Sequence, residues 1–218
     1  MIIYLDTETV PSSRLDVAEH IAAKHYDPDD IAKAAKKAAA DLDKTSLSGL
    51  FGELAVISWA NGEREPRTLV RNFSNPDGER EMLQAFANSD VDGDTIVAHN
   101  AEFDRNMIRQ RAIVLGVQLP DVYSAIEVKP WNSSWVCTMA MWTDSRMGRV
   151  SLDDLCLAFG LPGKGGVDGS MVAGMVRAGR IDEVAAYCAD DVRRVRAIYQ
   201  RMTRRYDVAR MPSAGDDA

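Results

Sequence analysis

Two carboxylates stand two residues apart at Asp6-Thr7-Glu8, where a short apolar run, Ile2 to Glu8, ends before Pro11. In a strand the side-chain period is two, so both acids lie on one face of a sheet and repel each other. Such a pair raises a carboxylate pKa or takes a cation, and oxygen donors favour Mg²⁺ or Mn²⁺. Asp-x-Glu also occurs in many surface loops, so it gains meaning only alongside other residues. A second group is His99-Asn100-Ala101-Glu102-Phe103-Asp104, where an apolar strand gives way to a helix. Strand ends and helix starts are where α/β sheets usually bind ligands. A helix cap accounts for Asn100, with Glu102 and Asp104 set against the helix dipole, but not for Phe103 and Asp104 together. The third group is Tyr187-Cys188-Ala189-Asp190-Asp191. Tyr187 and Asp191 are four apart and share a helix face, whereas Asp190 points about 100° away. Read alone, that segment is equally a half-buried aromatic beside an exposed acidic face.

The elements that must position these groups are legible from periodicity. Ile2 to Glu8 reads as a strand. From about Leu15 to Leu42 the chain is rich in Ala and charge and predicts helix, split in two by Pro28. Leu54 to Ala60 and Pro66 to Phe73 read as strands joined at Asn61-Gly62, a hairpin signal. A helix over Asp77 to Asn88 precedes a strand, Thr95 to His99, and a helix from about Ala101 to Leu115. Beyond Val122 the pattern weakens. Ser151 to Phe159 and Ser170 to Ala178 suggest short helices, Ile181 to about Arg205 a long one, and Met211 to Ala218 a frayed tail. Strands with interleaved helices predict a mixed α/β sheet covered by helices.

Composition narrows the function classes. Hydrophobic residues make up 46% and charged residues 27% of the 218, a globular balance with length for one domain. With 26 basic and 33 acidic residues the formal net charge is −7, which argues against a protein that coats nucleic acid and leaves room for a local site. No run approaches the about 20 apolar residues of a membrane span, and the N-terminal residues have neither a basic region nor a cleavage site. Cys137, Cys156 and Cys188 form no C-x-x-C pair and read as free thiols in a reducing cytosol, so the expected location is cytoplasmic.

Taken together, Asp6-Thr7-Glu8, Asn100-x-x-Phe103-Asp104 and Tyr187-x-x-x-Asp191 resemble, in order and separation, the three motifs of the DEDD 3′–5′ exonuclease superfamily. Tyr187 matches its DEDDy branch. The histidine branch needs His five residues before Asp191, and that position is Ala186; only His20, His25 and His99 exist. Within the branch, Leu161-Pro162-Gly163-Lys164-Gly165-Gly166-Val167-Asp168-Gly169-Ser170, with Tyr187-Cys188 and Asp191-Val192, is similar to predicted exonucleases related to the family-B polymerase exonuclease domain. The resemblance spans most of the chain but not about 11–49, a helical insertion. It departs at Cys137-Thr138, where many relatives carry Asp-Thr, which puts a substrate-side contact in doubt.

The resemblance implies an RNase H-like fold: a mixed five-stranded sheet flanked by helices with an N-terminal helical insertion, one exonuclease domain over 1–210 and a flexible tail over 211–218. It implies that Asp6, Glu8, Asp104 and Asp191 hold two divalent ions, Mg²⁺ or Mn²⁺, about 3.5–4 Å apart, which activate water and stabilise the leaving 3′ oxygen. Tyr187, with an ordinary pKa near 10, then positions water rather than abstracting a proton. Family analogy sets the terminal nucleotide near Thr9, Val10, Asn100 and Phe103, where Phe103 stacks on a base or serves simply as core. Gly163-Lys164-Gly165-Gly166 is not a Walker motif, yet Lys164 remains a candidate phosphate contact. Arg193, Arg194, Arg196, Arg201, Arg204, Arg205 and Arg210 surround the last helix, so most read as a solvated face. Steering of nucleic acid stays open for some of them and for Lys33, Lys36 and Lys37.

The expected activity is metal-dependent release of nucleoside 5′-monophosphates from 3′ ends of single-stranded DNA, with DNA repair or proofreading in trans as roles. Two alternatives stay open: an RNase of the same mechanism, and a non-catalytic adaptor that docks a polymerase or another replication protein through its insertion. No membrane partner is expected.

Overall fold

The computed structural model describes residues 1–124, 134–143, 148–163 and 165–203. Lys164, Arg204, Arg205, Arg210 and the 211–218 tail therefore lie outside the described residues. The first strand, β1 (Ile2–Val10), runs two residues past Glu8. Two helices follow, α1 (Leu15–His25) and α2 (Ile31–Asp43), on either side of Pro28 as expected. α1 buries Val17 and Ile21, one turn apart, whereas α2 buries no residue. The latter relies on alanine propensity and on its Asp30 cap, which accepts a hydrogen bond from the Lys33 amide at 3.0 Å. A single 3-10 turn, Lys44–Leu47, leads back to the sheet.

β2 (Glu53–Asn61) and β3 (Arg67–Val70) pair antiparallel, and β2 pairs antiparallel with β1. Their connection is longer than the two-residue hairpin that Asn61-Gly62 suggests. Gly62 takes a left-handed φ of 58°, and its amide still donates to Ile2 O, so β3 begins only at Arg67. Then come α3 (Gly78–Ala87), β4 (Thr95–Ala98) and α4 (Ala101–Leu115). The weakly patterned stretch supplies three short elements: α5 (Asp121–Ser124), β5 (Trp135–Cys137) and α6 (Thr138–Trp142). α7 (Leu152–Ala158), α8 (Val172–Arg177) and α9 (Ile181–Met202) complete the described chain. Among the described residues, no helix is long and apolar enough to cross a membrane.

The sheet order is β3-β2-β1-β4-β5, with β4 parallel to both β1 and β5. β1 is central, and its alternation divides the core. Ile3 and Leu5 pack with Ile57, Ile96, Phe86 and Ile108, on the side of α3 and α4. Tyr4, on the opposite face, joins Val97, Leu155, Val192 and Val195 from α7 and α9. The β1–β2 register shifts between Glu8 and Thr9, which leaves Ala55 as an extra residue on β2. That bulge explains why consecutive Ala55 and Val56 share one cluster with Val10, Val172 and Val184.

Two buried ion pairs fasten the helical insertion to this sheet. Glu79 accepts from Arg111 Nε at 2.8 Å, from Arg111 Nη2 at 2.7 Å and from the Leu54 amide at 2.8 Å. Arg111 Nη1 also donates to Gly49 O at 3.3 Å. Glu53, paired with Arg71, accepts from the Ser13 amide at 2.7 Å. The two ends of the insertion meet where the Ser12 amide donates to Thr45 Oγ1 at 2.9 Å. Gly52 closes the return, since a Cβ there would collide with Thr45 O. Breaking one partner of a buried pair strands the other charge, so Glu79→Ala is expected to cost about 3–5 kcal/mol in denaturant unfolding. A loss below about 1 kcal/mol would show that Glu79 is no anchor.

Candidate active site

The site forms because β1 outruns its neighbour. β4 pairs with β1 only at Ile2, Ile3 and Tyr4, so from Asp6 onward the β4 side of β1 has no strand beside it. α4 turns off from β4 at that opening and brings Asp104 in. Thr7, on the α4 side of β1, donates its hydroxyl to Asp104 Oδ1 at 2.7 Å. Asp6 and Glu8 continue the Tyr4 face toward α9, as the period of two requires. On α9, Tyr187 and Asp191 turn inward while Asp190 is exposed and pairs with Arg193. Asp104 and Asp191 are each only 3% exposed, a degree of burial that carboxylates rarely reach without partners.

The electrostatics record the crowding. Burial, then Glu8, Asp191 and Asp104, push the Asp6 carboxyl well above its ordinary range. Burial pushes Asp104 up to about 7, with Asp191 adding to the rise and the Thr7 hydroxyl opposing it. Tyr187 is raised by burial and by Asp191, Glu8 and Asp6, so its phenol keeps its proton and donates. Asp6 Oδ2 is buried without a hydrogen-bond partner among the described residues. A buried, unmatched acceptor among repelling acids fits a divalent cation. Ligand atoms of Asp6, Glu8 and Cys188 all lie within 4.8 Å of one another. The thiol is also pushed up, by burial and then by Asp6 and Glu8, and donates to Asp6 O at 3.4 Å.

Among the described residues, Arg194 answers the acids directly. Arg194 Nη1 donates to Asp191 Oδ1 at 2.6 Å, and its Nη2 donates to Gly163 O at 2.9 Å. The guanidinium thus ties the glycine-rich segment before Lys164 to a carboxylate of the cluster. It does not belong to a solvated face, unlike Arg193, which pairs with Glu65 and Asp190 at the surface. Spacing of i, i+3 from Asp191 is the signal that marks it in the sequence.

A cleft of about 530 Å³ opens over the cluster, lined by Asp6, Glu8, Tyr187 and Asp191 and by His99, Asn100, Phe103 and Arg149. Two further clefts adjoin it. One, about 500 Å³, shares Glu8 and Phe103 and includes Thr9, Lys44 and Arg177. The other, about 530 Å³, shares Asn100, Phe103 and Arg149 and includes Leu47 and Gln110. Phe103, half-buried against the core, therefore stands where three clefts meet.

Asn100 sits at the cap position of α4 but makes no side-chain cap bond, and its φ of 59° is the one left-handed value at a non-glycine among the described residues. Asn tolerates that conformation, and its amide faces the clefts instead of the helix end. Thr9 lines a cleft while its hydroxyl donates to Ser46 O at 2.9 Å, holding the insertion. The Val10 side chain lies in the core with Val172 and Val184, away from every cleft described.

His99 bridges Thr138 Oγ1 and Val150 O, each at 3.0 Å, and so fastens the segment bearing Arg149. Cys137 faces the start of α6, where its sulfur accepts from the Ala140 amide at 3.5 Å. Arg149 had no signal in the sequence, being an isolated arginine in an unpatterned stretch.

An acid whose pKa rises on folding stabilises the fold below its unfolded pKa, and that stability is lost as pH climbs through the folded value. For Asp104 the loss spans from about 4 to about 7. In metal-free protein, Asp104→Asn is therefore expected to melt with wild type near pH 3, below both values, and several degrees above it at pH 8, at about 2–4 °C per kcal/mol. Parallel melting curves across that range would refute the crowding of Asp104.

The model of a family described as predicted 3′–5′ exonucleases related to the exonuclease domain of PolB matches residues 45–208. Asp104, Tyr187 and Asp191 fall inside the matched range, and Asp6 and Glu8 precede it. No match was found among curated proteins. Among solved structures, the family B DNA polymerase of the hyperthermophilic archaeon Pyrobaculum calidifontis is similar at a TM-score of 0.64 and 14% identity. The match covers 93% of this chain and 24% of the polymerase chain, so the likeness is one of fold over about a quarter of that protein. With its RNase H-like sheet and a family match over most of its length, the chain belongs to the predicted 3′–5′ exonucleases related to the exonuclease domain of PolB.

Proposed function

We propose that the cleft at the end of β1 is the active site of a metal-dependent 3′–5′ exonuclease that removes nucleoside 5′-monophosphates from single-stranded DNA. The observation that carries this reading is the burial and crowding of Asp6 by Glu8, Asp191 and Asp104, with one of its oxygens left unmatched. Asp6, Glu8, Asp104 and Asp191 would hold two divalent ions, and their oxygens suit Mg²⁺ or Mn²⁺. When bound, such ions supply activation of water and stabilisation of charge on the leaving 3′ oxygen.

The chain's own residues do the rest. Arg194 fixes the Asp191 carboxylate from behind. Thr7 fixes that of Asp104, so both acids present a set direction. Tyr187 keeps its proton and donates a hydrogen bond toward the water or the scissile phosphate. Asn100 offers an amide held in place by a strained backbone, and Phe103 offers a ring face to the terminal nucleotide. Arg149 supplies positive charge on the open side of the cleft, suited to a phosphate. Water adds to phosphorus, the bond to the 3′ oxygen of the preceding nucleotide breaks, and the terminal nucleotide leaves with its phosphate.

End-labelled DNA and RNA single strands of matched sequence test this directly. In Mn²⁺ the DNA is expected to shorten from its 3′ end, and Asp6→Asn or Asp191→Asn to lower the rate at least about a hundredfold. Asn100→Gly keeps the left-handed backbone without its amide, so melting should hold while the rate falls roughly tenfold. Full activity in Asp6→Asn would overturn the site, and faster cleavage of RNA would overturn the choice of DNA.

A further inference from the structure

We propose that the α1–α2 hairpin carries a second contact for the nucleic acid, a row of lysines that holds the strand's phosphates beyond the cleft. The proposal rests on the exonuclease reading and extends it to a part of the chain that the family match, which begins at residue 45, does not include.

Lysine is unevenly placed in this protein. Of seven lysines, five lie between residues 24 and 44: Lys24, Lys33, Lys36, Lys37 and Lys44. Elsewhere the cations are mostly arginines, many of them committed to carboxylates or backbone carbonyls. Lys24, Lys33 and Lys37 are exposed, and no ion pair among the described residues engages them. Asp27, Asp29, Asp30, Asp41 and Asp43 offset these lysines over residues 24–44, but residues 31–40 hold Lys33, Lys36 and Lys37 and no acid, a local excess of positive charge on a chain of net charge −7. Lysine is a hydrated point charge, suited to phosphate without demanding a fixed geometry.

The placement follows the helix. Lys33, Lys37 and Asp41 recur at spacings of four and share one face of α2, and Lys44 follows three residues on, at the start of the 3-10 turn. At the hairpin tip, Lys33 and Lys37 face Lys24 and His25 across a cleft of about 220 Å³. At the other end, Lys44 lines the cleft that contains Glu8, Phe103 and Arg177, next to the carboxylate cluster. At 1.5 Å per residue the row spans about 16 Å. It therefore links the active-site cleft to a pocket at the tip where Lys24, Lys33 and Lys37 outnumber the one acid, Asp27.

The one acid within the row is already answered. Asp41 accepts from His25 Nε2 at 2.8 Å and from Lys44 Nζ at 3.0 Å, which removes most of its repulsion toward a phosphate. Tyr26, 74% exposed, lines the same tip pocket. A basic groove with an exposed aromatic is the combination that binds single strands, with phosphates on the cations and a base on the ring. An exonuclease that keeps hold of the strand at a distance can cut again without releasing it.

The test compares full-length wild type with Lys24→Glu/Lys33→Glu/Lys37→Glu and with the milder Lys→Gln triple, should the first fail to fold. Cleavage of a single strand of about twenty nucleotides and of a trinucleotide is measured in Mn²⁺ over a range of salt. The KM for the long strand is expected to rise roughly tenfold and its salt dependence to flatten by about 2 in log–log slope, at about 0.7 per lost phosphate contact. Cleavage of the trinucleotide, too short to reach the tip, stays as in wild type. Unchanged kinetics on the long strand, or an equal loss on both substrates, would overturn the proposal. Failure of wild type to cut either substrate would instead overturn the exonuclease reading.

Discussion

The arrangement turns on negative charge that the fold brings together at the end of β1. Asp6, Glu8, Asp104 and Asp191 converge from β1, α4 and α9, and Asp6 feels all three of the others. Arg194, which reaches Asp191, is the direct ion pair described for this group. Local features around the cluster follow from burial first and from this excess second. Asp104 and Asp6 are pushed upward, Tyr187 is kept protonated, and the Cys188 thiol stays neutral beneath them. Such a cluster costs stability in the free protein, and a divalent cation is the species whose charge and oxygen preference offset that cost.

The fold holds the acids together through the mismatch in length between β1 and β4. A longer β4 would cover Asp6 and leave Asp104 no approach. The bulge at Ala55 lets β2 follow β1 past Glu8 while turning its side chains to meet α8 and α9. The buried pairs Glu79–Arg111 and Glu53–Arg71 fasten the return of the insertion, so that Leu47 and Lys44 become walls of the clefts on either side of Phe103. The insertion is thus part of the groove and not an appendage on the far side of the molecule.

Much of this was legible in the sequence where a local period decides direction. Alternation put Asp6 and Glu8 on one face, and the helical period separated Asp191 from Asp190. Sequence patterning could not show where β1 ends, because Thr9 and Val10 are strand residues drawn into pairing by β2. For the same reason Val10, expected near substrate, points into the core. Asn100 has the composition of a cap, yet its left-handed backbone frees the side chain, a choice made by the turn between β4 and α4. The roles of Arg194, His99 and Arg149 depend on partners 3 to 51 residues away or on cleft geometry. Short elements such as β5 carry too few residues for a period to register.

If the acids are built to receive cations, binding must displace the protons that crowding has placed on them. Calorimetric titration of the metal-free protein with Mn²⁺, in buffers of different ionisation enthalpy, counts those protons. Release of at least one proton is expected near pH 6, below the value of about 7 to which Asp104 is pushed. Absence of Mn²⁺ binding, or binding at pH 6 that displaces no proton, would contradict it.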